Sequence, residues 1–225
     1  MKTLIVIPAY NESENIERVV NNIQNNFPQY DYVIINDGSG DNTAEICKKN
    51  NYNLIDLPVN LGLAGAFQTG MKYAFKKGYD AAMRCEGEGQ HSPEYIEWMV
   101  KTMEDEKMDI VIGSRFVSKK KGLSPRMIGS RIISFLILIT TGKRVKDPTS
   151  GMRLYGKNVL EEFANKINYG PEPDTITYLL NRGCKIKEVQ VEMDERIAGT
   201  SYLNFIGSIR YMIKMCTSII FVQWF

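Results

Sequence analysis

The chain has 225 residues, 44% of them hydrophobic and 24% charged, which is typical of one globular domain, or of one domain with an appendage, and excludes a disordered chain. The net charge of +2 excludes little, but four scattered cysteines without a C-x-x-C pair argue against a disulfide framework and favour reduced thiols in the cytosol. No apolar stretch reaches the ~20 residues that span a bilayer, and no signal peptide is expected.

The first half of the chain alternates short apolar runs with helical patterns. Residues 4–7 form an apolar run that ends at Pro8, and residues 16–23 carry apolar side chains at helical spacing. Further predicted strands lie at 32–35, 54–57, 79–85 and 109–113, and further predicted helices begin at 43, 62 and 93. This order predicts an α/β fold, a Rossmann-like and mostly parallel sheet covered by helices on both faces.

Polar or special residues follow three of these predicted strands. Pro8 ends the first strand, Asp37 follows the second and Glu88 follows the fourth. Because parallel sheets bind ligands beyond the carboxyl ends of their strands, we expect all three residues at one crevice. Glu86 and Glu88 are also spaced so that both carboxylates can reach one hard divalent ion such as Mg²⁺. The alternative for this E-x-E segment is a polar turn with two solvated glutamates.

Residues 110–146 contain no Asp or Glu and are rich in Lys and Arg. Such a block suits an anionic partner, either phosphate, an acidic membrane surface or nucleic acid, although a solvated basic loop has the same composition. We do not expect nucleic-acid binding, because no aromatic side chains are interleaved with these charges. The strongly apolar residues 132–139 lie inside the block and are too few to span a bilayer.

Residues 205–220 repeat apolar side chains at i, i+3 and i+4, with Arg210 and Lys214 off the apolar stripe and Trp224 and Phe225 near the end. This pattern predicts an amphipathic helix in a membrane interface, and a helix packed on the domain is an equally open alternative. The predicted division is a domain over residues 1–200 followed by this helix over residues 201–225.

Seven motifs occur in order along the chain: V-I-P-A-Y-N-E at 6–12, N-D-G-S at 36–39, N-L-G at 60–62, G-E-G-Q-H at 87–91, G-S-R-F at 113–116, D-P-T-S-G-M-R at 147–153 and R-I-A-G-T-S at 196–201. Together they resemble the inverting family-2 glycosyltransferases of the GT-A fold. The group they resemble most is the polyprenyl-phosphate sugar transferases.

The resemblance implies a role for each matching residue. The nucleotide-sugar donor would bind to Pro8, Tyr10, Glu12, Asp37, Asn60, Gly65 and Glu86. The metal, Mg²⁺ or Mn²⁺, would bind to Glu88 with Glu86. The acceptor phosphate or the donor diphosphate would bind to Arg115, Arg131, Arg196 and Ser201. The catalytic candidates are Asp147, Glu172 and Asp174. The last two could serve as a base, or they could simply be an acidic helix N-terminus that the helix dipole favours.

The implied activity is transfer of a sugar from a UDP- or GDP-sugar to a polyprenyl phosphate or a lipid-linked saccharide, in the synthesis of cell-envelope glycans. We therefore expect a protein peripheral on the cytoplasmic face of an anionic membrane, with homo-oligomers possible. The family pattern at residues 86–88 is D-x-D, whereas this chain has E-x-E. The longer side chains could weaken metal binding, so the alternative function is a catalytically impaired subunit that binds a partner.

Two other classes fit less well. A dinucleotide-binding oxidoreductase needs G-x-G-x-x-G after the first strand, and residues 8–12 contain no glycine. A nucleotidyltransferase would share the sheet and the metal, but this chain lacks the Gly-rich loop with Lys or Arg that such enzymes carry.

Overall fold

The computed structural model describes residues 1–85, 93–166, 170–192 and 205–221. In this part of the chain the strands are β1 Thr3–Ala9, β2 Asp31–Asn36, β3 Leu54–Asp56, β4 Ala81–Arg84, β5 Ile110–Ser114, β6 Arg153–Gly156 and β7 Ile186–Gln190. The helices are α1 Ile16–Asn26, α2 Thr43–Lys49, α3 Gly62–Lys76, α4 Pro93–Glu106, α5 Pro125–Thr141, α6 Lys157–Asn165, α7 Pro173–Asn181 and α8 Phe205–Phe221.

The described strands form one sheet with the order β3-β2-β1-β4-β6-β5-β7. β6 is antiparallel to both of its neighbours, β4 and β5, and every other pair is parallel. The predicted α/β fold with a mostly parallel sheet is confirmed. β6 was not predicted, because its four residues carry no alternation or apolar run that marks a strand.

Helices cover both faces of the sheet, since alternate strand residues point to opposite sides. Leu4 and Val6 of β1 join a core cluster with side chains of α3, α5, α6, α7 and α8. Ile5 and Ile7 join a second cluster with side chains of α1, α2 and α4. The continuous apolar runs of the central strands follow from this burial on both sides.

β7 and α6 were not predicted either, and the elements that were predicted differ from the observed ones mainly at their ends. β1 continues through Pro8, which lies opposite Ile35 of β2, and ends at Ala9. The apolar stretch 132–139 is the middle of the longer helix α5, which begins after a Ser124 cap and ends at Gly142 with a φ of 68°. Both are ordinary helix-end signals.

α8 packs on the domain along one face and exposes apolar side chains along the other. Met215 and Ile219 are buried in the first core cluster. Ile213 is 62% exposed and Phe221 is 61% exposed. The packing of α8 on the domain is therefore confirmed for its buried face, and its position in a membrane interface stays a prediction. None of the described helices is both long enough and apolar enough to cross a membrane.

Candidate active site

The loops that follow β1 and β2 are held together by hydrogen bonds. Ser39 Oγ accepts from the Asn11 backbone N–H at 3.0 Å. Asp41 accepts from the backbone N–H groups of Ser13 at 3.1 Å and Thr43 at 3.0 Å. Burial raises the pKa of the Asp41 carboxyl, but these hydrogen bonds from Thr43 and Ser13 outweigh burial and lower the pKa to about 2. The carboxylate therefore stays ionised. The two loops therefore form one connected rim over the strand ends.

Asp37 connects this rim to the loop between β3 and α3. Its side chain is almost fully buried, and Oδ1 accepts from the Leu61 backbone N–H at 2.7 Å. Gly38 has a φ of +64°, and a Cβ there would lie 2.7 Å from Asn60 N and from the Val59 carbonyl carbon. Only glycine fits this close approach of two backbones without strain. Asp37 and Asn60, both predicted to bind the nucleotide, are thus brought together.

The other predicted donor-binding residues that the structure describes lie at the same edge of the sheet. Pro8 is half-buried near the end of β1, and the Tyr10 side chain after it is 50% exposed. Glu12 is half-buried, and its carboxylate accepts from Asn15 Nδ2 at 3.0 Å. Gly65 lies in the first turn of α3. An exposed aromatic ring, carboxylates and backbone groups at one edge suit a flat polar ligand.

The segment before α7 packs directly on the beginning of α3. A Cβ on Gly170 would lie 3.0 Å from Ala64 Cβ, in the first turn of α3. Thr175 Oγ1 donates to the Gly170 carbonyl at 2.7 Å, which ties this segment to α7. Glu172 is the residue that precedes α7. The acidic start of α7 therefore lies next to the edge that carries the predicted donor-binding residues, and the catalytic roles of Glu172 and Asp174 stay predictions.

Arg115 and Asp147 form a bidentate ion pair. Arg115 Nε donates to Oδ2 at 2.8 Å and a second guanidinium nitrogen donates to Oδ1 at 2.9 Å. The Asp147 side chain is 0% exposed. Burial raises the pKa of the Asp147 carboxyl, but the hydrogen bonds and the charge of Arg115 hold this pKa below its ordinary value. Glu188 in turn accepts from the Lys146 and Asp147 backbone N–H groups at 2.7 Å each. Asp147 therefore orients Arg115, and any direct catalytic role for it stays a prediction.

Arg153 is the other buried arginine near this pair. It is 1% exposed, and its guanidinium donates to the carbonyl oxygens of Ser150 at 2.8 Å and Pro148 at 2.6 Å. It also donates to the Glu172 carbonyl at 3.2 Å. One side chain thus joins the loop 147–153, which carries Asp147, to the start of α7.

The carboxylates of Glu172 and Asp174 both accept hydrogen bonds from α8. Tyr211 Oη donates to Glu172 Oε2 at 2.7 Å, and Ser218 Oγ donates to Asp174 Oδ2 at 2.7 Å. Asp174 is 8% exposed. These two base candidates are thus contacts of α8.

An open groove of about 660 Å³ lies between residues 116–121 and α5. Its basic lining residues are Lys119, Lys120, Lys121, Arg131, Arg144 and Lys146. Its apolar lining residues are Phe116, Val117, Phe135, Leu138 and Val145. None of its lining residues in the described part of the chain is acidic. The basic block of the sequence therefore forms a cationic groove with an apolar wall, which suits an anionic head group attached to a hydrocarbon chain.

Lys121 connects the groove to the Arg115–Asp147 pair. Its ammonium donates to Ser130 Oγ at 2.8 Å and Ser134 Oγ at 3.3 Å, and its carbonyl accepts from the Arg131 guanidinium at 2.6 Å. Burial lowers the pKa of Lys121, and the charge of Asp147 opposes that effect. Three cationic side chains therefore lie along one path from the ion pair into the groove.

Four predicted site residues lie outside the described residues: Glu86, Glu88, Arg196 and Ser201. The described chain before the first two ends at Cys85, whose N–H donates to the Val6 carbonyl of β1 at 2.9 Å, and the metal-binding roles of Glu86 and Glu88 stay predictions. Within 1–85, 93–166, 170–192 and 205–221, no three His, Cys, Asp or Glu side chains are placed to hold a metal ion.

Sequence reasoning missed several residues that build this site. Arg153 lies inside a quoted motif, but nothing in the motif shows that its guanidinium would reach Glu172. Tyr211 and Ser218 are the polar residues of an otherwise apolar helix face, seven positions apart. That spacing, two helical turns, is the one signal that could have marked them.

The fold and the crevice define an α/β enzyme of the GT-A type. The Glycosyl transferase family 2 model matches residues 4–164. The chain belongs to glycosyl transferase family 2 and is a glycosyltransferase, as the motifs predicted. The structure resembles the crystal structure of glucosyl-3-phosphoglycerate synthase from Mycobacterium tuberculosis in complex with Mn²⁺, UDP and phosphoglyceric acid. The TM-score is 0.71 with 17% identity, over 97% of this chain and 78% of that chain. This likeness confirms the predicted fold.

Two curated relatives are similar over most of the chain. One is UDP-N-acetylglucosamine–dolichyl-phosphate N-acetylglucosaminyltransferase of Methanococcus voltae, 33% identical over 184 residues, which cover 72% of each protein. The other is polyprenol monophosphomannose synthase of Mycolicibacterium smegmatis, 26% identical over 216 residues, 90% of this chain and 81% of the relative.

Proposed function

We propose that this enzyme transfers a sugar from a UDP- or GDP-sugar to a polyprenyl phosphate, with inversion at the anomeric carbon. The single observation that carries the proposal is the groove next to Arg115, with six basic residues and an apolar wall. It offers charge for a phosphate and apolar surface for the first isoprene units. The names of the two curated relatives support this acceptor class.

The reaction needs little proton transfer. An acceptor phosphate oxygen forms the new bond to the anomeric carbon as the bond to the donor diphosphate breaks, and the nucleoside diphosphate leaves. A phosphate monoester has a second pKa near ~6 and is largely ionised at pH 7, so no base is essential. We propose that the phosphates are held by Arg115, Arg131, Arg196 and Ser201. The arginines suit this role because bidentate guanidinium contacts orient phosphate groups best.

The donor is proposed to bind at the other side of the crevice. The base and ribose would contact Pro8, Tyr10, Glu12 and Asp37. A divalent ion, Mg²⁺ or Mn²⁺, would bind through Glu88 with Glu86. Such an ion stabilises the charge that develops on the departing diphosphate. Asp37 already accepts one backbone N–H, and its carboxylate has further lone pairs for the base.

The acceptor class also explains the exposed apolar side chains around the groove. On α5, Ile132 is 45% exposed and Phe135 is 60% exposed, and Ile213 of α8 is exposed in the same way. We propose that these faces lie in the interface of the cytoplasmic leaflet, where each nearby Lys or Arg adds about 1 kcal/mol on anionic lipid. The product would serve cell-envelope glycan synthesis.

The test is transfer of a labelled sugar into an organic-soluble product. Wild-type protein, Mn²⁺ or Mg²⁺ and a panel of UDP- and GDP-sugars are mixed with a short polyprenyl phosphate or with the matching polyprenol. We expect product from the phosphate only, and NMR should show the anomeric configuration opposite to the donor's. Transfer to free sugar hydroxyls, with none to the lipid phosphate, would refute the proposal.

A further inference from the structure

The acidic start of α7 is the point where several parts of the site meet. The Glu172 carbonyl accepts from Arg153, which also holds the loop 147–153. Gly170 packs on Ala64 of α3. The carboxylates of this same segment are bound by hydroxyl groups of α8. A displacement of α8 would therefore move a segment that borders both sides of the crevice.

The α8 hydroxyls that reach this segment lie on the inward side of that helix. Tyr211 and Ser218 are two turns apart, on the side that also buries Met215 and Ile219. Burial, together with the charge and hydrogen bond of Glu172, raises the pKa of Tyr211, so its hydroxyl stays protonated and donates throughout the neutral range. Hydrogen bonds from hydroxyls to carboxylates are strong and directional.

We propose that Tyr211 and Ser218 are positioning residues for sugar transfer. Through Glu172 and Asp174 they fix the start of α7, and through the Arg153 contact with loop 147–153 they fix the Arg115 guanidinium. The inference rests on the proposed function, because the group that is finally positioned is the one assigned to the acceptor phosphate. Both hydroxyls donate to carboxylates of the α7 segment, so both act through the residues they bind.

The kinetic test compares hydroxyl deletions with matched controls. Tyr211→Phe and Ser218→Ala should each lower kcat for transfer to polyprenyl phosphate about tenfold, the effect of losing one bond to a charged group, while UDP or GDP affinity stays unchanged. Ser218→Thr, which keeps a hydroxyl, should restore most of the rate. Two matched controls should leave both kcat and nucleotide affinity unchanged. Thr217→Ala removes another hydroxyl of α8, and Tyr52→Phe removes a hydroxyl on the opposite face of the sheet.

A structural control separates positioning from stability. Ile219→Val shortens a fully buried side chain of α8 without changing a contact to a carboxylate, and the loss of one buried methyl group is mildly destabilising. Assays run well below the unfolding temperature should leave its kcat near wild type. Equal rate losses in Ile219→Val and Tyr211→Phe would overturn the inference, and so would an unchanged rate in both hydroxyl variants of an active enzyme.

Hydrogen exchange gives a readout that does not depend on the substrate. Tyr211→Phe should speed amide exchange in peptides covering 147–153 and 171–181, and Thr217→Ala should not. If wild-type protein transfers no sugar to lipid phosphates, the proposed function fails, and faster exchange in these two peptides still supports the positioning by α8. Exchange that is unchanged in Tyr211→Phe overturns the positioning whatever the activity shows.

Discussion

The proposed donor side and the proposed acceptor side of the crevice, called the donor side and the acceptor side below, are built in opposite ways. On the donor side, the loops after β1, β2 and β3 bind one another, as in the Asp37–Leu61 and Asn11–Ser39 contacts. On the acceptor side, six basic residues line an open groove, and apolar side chains of α5 and α8 remain exposed. The donor side is preformed by hydrogen bonds between its loops, whereas the acceptor side presents charge and apolar surface outward.

The two sides should therefore differ in how much ordering of protein groups accompanies ligand binding. Polar groups of the donor side already satisfy one another, so a nucleotide there would meet a fixed surface at a low ordering cost. On the acceptor side Arg115 is fixed by Asp147, while Arg131, Lys119 and Lys120 are exposed. Substitutions on the donor side should therefore change ligand binding by altering the shape of the site. Substitutions on the acceptor side should change it by altering the charge of the groove.

The largest effect should come from Glu88, the proposed metal ligand. Glu88→Ala should lower turnover about a thousandfold or more, since metal stabilisation of the leaving group contributes several kcal/mol. Glu88→Asp should keep part of the rate, and EDTA should abolish transfer until Mn²⁺ or Mg²⁺ is restored. Glu97→Ala, an exposed carboxylate of α4, is the control. Transfer that persists in EDTA would show that the metal assignment is wrong.

The next effect concerns the ion pair that fixes the acceptor side. Asp147→Asn should lower the free energy of unfolding at pH 7 by about 3 kcal/mol, because it breaks a largely buried pair. The pKa of Asp147 lies below its ordinary value although burial opposes the pairing with Arg115. The stabilisation is therefore full above the unfolded pKa of about 3.9 and is lost as the pH falls below it.

Urea denaturation at pH 7, 4 and 3 measures this effect. The wild type should lose stability steeply between pH 4 and pH 3, and Asp147→Asn should lose less. Asp105→Asn, an exposed carboxylate of α4, should follow the wild-type curve. An Asp147→Asn protein with the wild-type midpoint at pH 7 would show that the pair does not hold this side together.

Two glycines of one loop test the preformed donor side. Gly38→Ala places a Cβ 2.7 Å from two backbone atoms at a φ of +64°, a strain of about 1–3 kcal/mol. It should weaken UDP or GDP binding about tenfold by calorimetry. Gly40→Ala meets nothing within 4 Å and should bind normally. Equal affinities for the two variants would mean that the loop contact does not shape the nucleotide site.

The smallest effect should be on membrane association. Ile213→Asp adds a charge to the exposed face of α8 and should weaken binding to acidic liposomes severalfold, with the remaining binding reduced by salt. Asn25→Asp makes the same charge change on α1, on the other face of the sheet, and should have little effect. Sedimentation with liposomes at two salt concentrations distinguishes the two. Equal loss in both variants would argue against an interfacial α8.

The sequence predicted the donor side better than the acceptor side. Continuous apolar runs such as residues 4–7 mark buried parallel strands, and polar residues after them mark the crevice. β6 and the contacts of Arg153 could not be predicted, because they join segments that are remote along the chain. Tyr211 reaches Glu172 across 39 positions, and no local pattern encodes that approach. The Arg115–Asp147 pair was predicted as two site residues but not as partners.

The most direct measurement compares Arg131→Ala and Asp174→Asn in transfer to polyprenyl phosphate. If the acceptor is an ionised phosphate in the basic groove, Arg131→Ala should lose orders of magnitude in kcat/KM. Asp174→Asn should keep most activity, since its amide oxygen can accept from the Thr175 backbone N–H while its amide N–H donates to Ser218 Oγ. An inactive Asp174→Asn enzyme beside a tolerant Arg131→Ala enzyme would contradict the account and identify a sugar hydroxyl as the acceptor.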